Sequence, residues 1–194
     1  MCEIACPFVP EPISFKHTNA KKNQKLGNRL SIELDAIDAR ILDLIQRDAA
    51  LSVAEIADRV GLSSSPCWRR IKRMEEQGII TKRVTLLNAE AVGLDFQVYA
   101  SVKLALPTRE NLERFERAVA DLPEVVDCAT VTGAVDYVLK IITSDMRAYD
   151  DFLRDKILGT GLVSDVQSRI VIRNVKTTTA LPLSLVSPYL PAPT

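Results

Sequence analysis

Two hydrophobic periods divide the chain. Between residues 34 and 80, apolar positions recur at three- and four-residue intervals. From residue 96 onward, stretches of strict alternation take over. Leu34, Ile37, Ile41, Leu44 and Ile45, interleaved with Asp35, Asp38 and Arg40, predict a first helix over about 35–48. Ser52 followed by Glu55 is a capping box, and Val53, Ile56, Ala57 and Val60 give the second helix one apolar face. Gly61 stops that helix, because glycine alone enters the left-handed conformation without steric cost. Ser63 is the expected cap of a third helix with Pro66 in its first turn, where a missing N–H costs little. Cys67, Ile71 and Met74 form its inner stripe, and Gly78 ends it. The β-branched run Ile79–Leu86, basic in the middle, predicts a short hairpin or wing.

The second half reads differently. Phe96, Val98, Ala100, Val102 and Leu104 alternate with polar partners as a strand. A helix through Leu112, Phe115, Val119 and Leu122 follows. Strands over 125–132 and 137–143 flank Gly133-Ala134-Val135-Asp136. Another helix runs through Tyr149, Phe152, Leu153 and Ile157, and a last strand covers 163–176. The order β-α-β-β-α-β is the split βαβ, ferredoxin-like arrangement. The predicted organisation is α+β: a flexible arm (1–33), a winged helix-turn-helix domain (34–93, with the motif itself about 53–72), a βαββαβ domain (94–183) and an irregular tail (184–194).

Charge sharpens this picture. The 194 residues carry 25 Lys+Arg and 25 Asp+Glu, a net charge of zero that, taken whole, argues against nucleic acid. Segmented, the zero is a sum of opposites. Residues 1–32 carry +3, 33–63 carry −4, 64–84 carry +4 and 85–194 carry −3. A basic window lies between acidic regions, and it is the local patch that meets DNA. In a helix-turn-helix, the N-terminal part of the last helix meets base edges in the major groove. Ser64, Ser65, Trp68, Arg69, Arg70, Lys72 and Arg73 are therefore the candidate DNA contacts, with Lys82 and Arg83 on the wing reaching the flanking backbone. Two alternatives stay open: a protein-binding three-helix module with a solvated basic face, and a Trp68 that packs on the wing.

The same chemistry limits other functions. The single histidine, His17, lies in the arm, so no Ser/His/Asp or Cys/His arrangement can be built, and no enzyme is expected. Cys2 and Cys6 have no downstream metal-ligand partner, while Cys67 and Cys128 read as core residues. Four scattered cysteines, no long apolar run and no signal peptide predict a reducing, cytoplasmic setting.

Leu34-Asp35-x-x-Asp38-x-x-Ile41-Leu42, Gly61-Leu62-Ser63, Ser65-Pro66-Cys67-x-x-Arg70-Ile71-x-x-Met74-Glu75 and Gly78-Ile79-Ile80 together resemble the Lrp/AsnC (leucine-responsive, feast/famine) transcriptional regulators. The resemblance continues through Gly133-x-x-Asp136-Tyr137-Val138-Leu139-Lys140 and Val175-Lys176, and spans about residues 34–183. It implies an N-terminal winged helix-turn-helix on operator DNA and a C-terminal domain that binds a small effector, usually an amino acid. It also implies dimers that assemble further, often to octamers, and no cofactor. The effector positions it implies are Thr132, Gly133, Ala134, Val135 and Asp136 in the loop, with Ser168 and Arg169 in the last strand. Where the family often has an acid and an aromatic, this chain has Ala134 and Val135, which favours a small or apolar ligand. Read on its own, the loop is also a tight turn with an Asx cap, in which Asp136 holds the chain. A 33-residue arm is longer than the family's usual few residues and reads either as a basic arm or as translation from an upstream start. Apolar residues on both faces of the 137–143 and 163–175 strands predict an apolar open sheet face and a two-fold partner. The runner-up reading is a metabolite-binding oligomeric scaffold whose N-terminal module meets protein.

Overall fold

The computed structural model describes residues 34–185. The arm, with Cys2, Cys6 and His17, and the tail beyond 185 lie outside the described residues. Helix α1 spans Ala36–Arg47, α2 Val53–Val60 and α3 Ser64–Glu76. Each start has a local cause. The Asp35 carboxylate accepts from the Ile37 and Asp38 N–H groups, and Asp38 reaches back to the Asp35 N–H. Ser52 and Glu55 close the expected capping box on α2. Gly61, at φ +75°, then turns the chain out of α2. Ser63 stands at the start of α3 in extended backbone, but its hydroxyl makes no capping bond, contrary to expectation. Ile41, Ile45, Ile56, Val60, Cys67, Ile71 and Met74 close one core between the three helices.

The expected hairpin after α3 is absent. Residues 81–88 have no regular secondary structure and lie exposed. Ile79–Leu86 contains no Gly, Asn, Asp or Pro to close a tight reversal, so the β-branched run has no partner strand to pair with. A 3-10 turn at Glu90–Val92 precedes the second unit.

That unit holds β1 Phe96–Leu104, α4 Arg109–Ala120, β2 Val125–Thr130, β3 Tyr137–Thr143, α5 Met146–Phe152 and β4 Val163–Ile170. The antiparallel sheet has the order β2-β3-β1-β4. Helices α4 and α5 cover one face. Phe115, Val119, Tyr149 and Phe152 pack there on Val98, Ala100, Val102, Leu139 and Ile141. Strand β4 stops at Ile170, not 176. The Val171 N–H still donates to the Gln97 carbonyl, but β1 begins at Phe96, so the chain beyond runs out of partner. Ile172 is left 99% exposed.

Candidate DNA-reading face and effector loop

Helix α3 presents its outer side to solvent because Cys67, Ile71 and Met74 are consumed by the core. Ser64, Ser65, Trp68, Arg69 and Lys72 share that exposed side, and Trp68 is 53% exposed rather than packed on a wing. The remaining basic residues divide. Arg70 and Arg73 both turn inward to Asp38 on α1, which is 1% exposed. Arg70 also pairs with Asp35. These bonds hold the Arg70 guanidinium above its ordinary pKa. Asp35, despite the opposing desolvation, is held below the usual carboxylate range by the Asp38 N–H and by Arg70. Arg70 therefore faces the first helix, not the reading face, and Arg73 is half-engaged there. Arg83 leans on Glu75 at 3.3 Å, and Lys72 lies 3.5 Å from the same carboxylate. Of the six basic residues between 64 and 84, Arg69 and Lys82 make no ion pair among the described residues.

Asp38 was part of the sequence motif, but its role was missed. The signal was there: Asp35-x-x-Asp38 and Arg70-x-x-Arg73 repeat at the same three-residue interval, which lines up two acids with two bases on facing helices.

In the second unit, Thr132, Gly133 and Ala134 are exposed, and Val135 and Asp136 half-buried. Gly133 has φ +129°, a backbone that a side chain rarely adopts, although space around it is open. The Asp136 carboxylate accepts from the Leu104 N–H at 2.8 Å, the Asp136 N–H donates to Val102, and Val131 donates to the Asp136 carbonyl. The loop is thus clamped to the end of β1 through Asp136, with one carboxylate oxygen engaged. Ser168 lies opposite Ala100, on the helix-covered side, and shares a short hydrogen bond with the Tyr149 hydroxyl. Burial keeps the Tyr149 phenol above its ordinary pKa in spite of that bond. Arg169 lies opposite Tyr99 on the other side and donates to the Ser101 hydroxyl at 2.7 Å. Consecutive strand residues face opposite ways, so Ser168 and Arg169 cannot share one cleft in a single copy. The Arg169 guanidinium leans along β1 to Ser101, and the loop is held at the next residue, where the Val102 carbonyl accepts from the Asp136 N–H. Neither Ser168 nor Arg169 makes a hydrogen bond to the loop among the described residues.

The open face of the sheet is mixed, not apolar. One row across it reads Asp127, Lys140, Tyr99, Arg169, from β2 to β4. Val138 and Ile142 flank that row, half-buried. Cys128 is exposed, not core, because β2 is an edge strand. Desolvation of its sulfur, with Glu116 and Asp127 nearby, pushes the thiol up to about 11. Among the described residues no cluster of His, Cys, Asp and Glu could hold a metal ion.

A helix-turn-helix with an outward basic helix, joined to a ferredoxin-like sheet, defines a DNA-binding transcriptional regulator with a separate ligand-binding domain. Two family models match it: "Winged helix-turn-helix DNA-binding" over 34–81 and "Lrp/AsnC ligand binding domain" over 97–181. The chain belongs to the Lrp/AsnC family. It is 35% identical over 150 residues to the DNA-binding transcriptional activator DecR of Escherichia coli K12, covering 77% of this chain and 99% of that protein. It is 38% identical to the proline dehydrogenase transcriptional activator of Rhizobium radiobacter, covering 75% and 94%. Among solved structures, the transcriptional regulator NMB0573/L-Met complex of Neisseria meningitidis superposes with TM-score 0.77 at 37% identity, covering 80% of this chain and all of that one. An AsnC family regulator from Agrobacterium tumefaciens gives 0.75 at 40% identity, covering 79% and 99%. No helix among the described residues is long and apolar enough to cross a membrane.

Proposed function

We propose that this regulator reads operator DNA through Ser64, Ser65, Trp68, Arg69 and Lys72, with Lys82 and Arg83 on the flanking backbone, and controls amino-acid metabolism or transport genes. The observation that carries this is Arg69, which makes no ion pair among the described residues and lies on an exposed helix face whose other arginines are held inward. A free guanidinium can make a bidentate contact to guanine, whereas one already bound to carboxylates cannot. Arg70 and Arg73 act as positioning residues: they seat α3 against α1 and so aim Arg69.

The effector is a small or apolar amino acid, bound at the Thr132–Asp136 loop. The relatives' names connect them to proline and glutamate, and one neighbour structure holds L-Met. Loop N–H groups around Gly133 suit a carboxylate, and the second Asp136 oxygen suits an ammonium.

The partner is a second copy across the open sheet face. A two-fold axis parallel to the strands sets Asp127 over the partner's Arg169 and Lys140 over the partner's Tyr99, an ion pair and a cation–π contact each made twice. An axis perpendicular to the strands would set Asp127 against its own copy. Sheets stack about 10 Å apart, within reach of these side chains. Mass measurement of wild type and Arg169→Asp tests the arrangement: the variant falls to monomer, and Asp127→Arg in the same chain restores the dimer. For the effector, a thermal-shift screen of the twenty amino acids is expected to find stabilisation that Asp136→Ala removes; no stabilisation at millimolar concentration contradicts an amino-acid effector.

A further inference from the structure

We propose that the helix-turn-helix unit carries a peptide-binding groove along α1, and that residues 179–183 of this chain are its ligand. The contact is built like one rung of a β-ladder. The Gln46 side-chain Nε2 donates to the Leu181 carbonyl at 3.1 Å, and the Leu181 N–H donates to Gln46 Oε1 at 2.9 Å. A primary amide offers a donor and an acceptor in one plane, as a neighbouring strand residue does, and the pair fixes both the position and the direction of the bound backbone.

The groove is prepared for this. Gln46 Nε2 also donates to Asp43, and Asp43 is held in turn by Arg47, so the amide is oriented by the helix turn before it. On the ligand side, the Thr178 hydroxyl accepts from the Ala180 N–H, and the Leu183 N–H closes a turn on the Leu181 carbonyl. Pro182 between them has no N–H to leave unpaired. Leu183 joins the apolar cluster of the three helices, so its side chain completes a core that its own domain does not contain. Leu181 and Leu183 share with Leu42, Ile45, Ile79 and Ile80 the lining of a cleft of about 700 Å3.

The attachment has a mechanical meaning. Among the described residues, the two Gln46–Leu181 bonds are the hydrogen bonds between residues 34–80 and residues from 96 on. Occupied, the groove ties the chain leaving β4 to the helix whose Asp38 seats α3. The DNA-reading unit then has two tethers to the sheet: the 81–95 linker and this one. Empty, it has the linker alone.

Hydrogen exchange on the full-length protein, read at single amides, tests the assignment with Gln46→Ala and Leu183→Asp. In wild type, the Leu181 N–H is expected to exchange at least tenfold more slowly than in a free peptide of residues 178–185. Each variant is expected to bring it to the free-peptide rate while α4 amides keep their protection. If Gln46→Ala also strips α1–α3 of protection, Gln46→Glu replaces it: it keeps an acceptor for the Leu181 N–H, deletes the donor to its carbonyl, and is expected to lose part of the protection. A Leu181 N–H unprotected in wild type, or still protected in Leu183→Asp and in the Gln46 variant, overturns the proposal. Protection that rises with protein concentration also overturns it, because the ligand then comes from another copy.

Discussion

Arg70 on the recognition helix donates to Asp38 on the first helix at 2.9 Å, and Asp38 is 1% exposed. A buried carboxylate needs its partner. Helix α3 is therefore held against α1 by an ion pair on its inner side, and two adjacent arginines, Arg69 and Arg70, have different surroundings. Arg70→Ala is expected to lower the stability of the helix-turn-helix unit by about 1–3 kcal/mol, since Arg73 remains on Asp38. Arg69→Ala is expected to leave the melting temperature unchanged and to weaken operator binding. Denaturant unfolding of the two variants separates the roles.

Asp136 is expected to be a structural clamp whether or not it touches an effector. Asp136→Ala leaves the N–H of buried Leu104 without its acceptor and is expected to cost about 1–2 kcal/mol. Asp136→Asn keeps a side-chain oxygen and should lose less. Unfolding of the ligand-free variants measures both.

Acid should fray the start of α2. The Glu55 carboxylate is held below its usual 4.5 by hydrogen bonds from the Ser52 hydroxyl and the Ser52 N–H. A depressed folded pKa adds stability that is fully present above the unfolded value and is lost as pH falls through the folded one. NMR titration should place Glu55 below 4.5, and Ser52→Ala should return it toward that value.

The Cys128 thiol, exposed on the edge strand but raised to about 11, stays protonated at neutral pH. Site-resolved alkylation with iodoacetamide should be slow at pH 8 and accelerate toward pH 11, because the thiolate is the nucleophile. Fast labelling at pH 8 would contradict the described environment of the sulfur.

The sequence made the helices, their glycine stop at Gly61 and the order of the sheet readable, because those follow from local period and capping. Three features were not readable, for one physical reason: each depends on a partner distant in the chain. The Ile79–Leu86 run has strand composition but no closing turn and no neighbour. The last strand stops where antiparallel β1 begins, which no pattern within 163–176 records. The direction of Arg70 depends on Asp38, 32 residues earlier. The candidate site was legible as a set of residues but not as a geometry. Ser168 and Arg169 look equivalent in sequence and lie on opposite faces of the sheet.

The central claim is that the outer face of α3 reads sequence. Fluorescence anisotropy on the full-length protein, with the region upstream of its own gene and a scrambled duplex, tests it across a salt series. The expected result is tighter binding to the upstream region and affinity that falls as salt rises. Arg69→Ala should weaken the specific complex by about 1–3 kcal/mol, roughly 5- to 150-fold, and the scrambled one far less. Equal binding of both duplexes, or a specific complex indifferent to Arg69→Ala, would contradict the account.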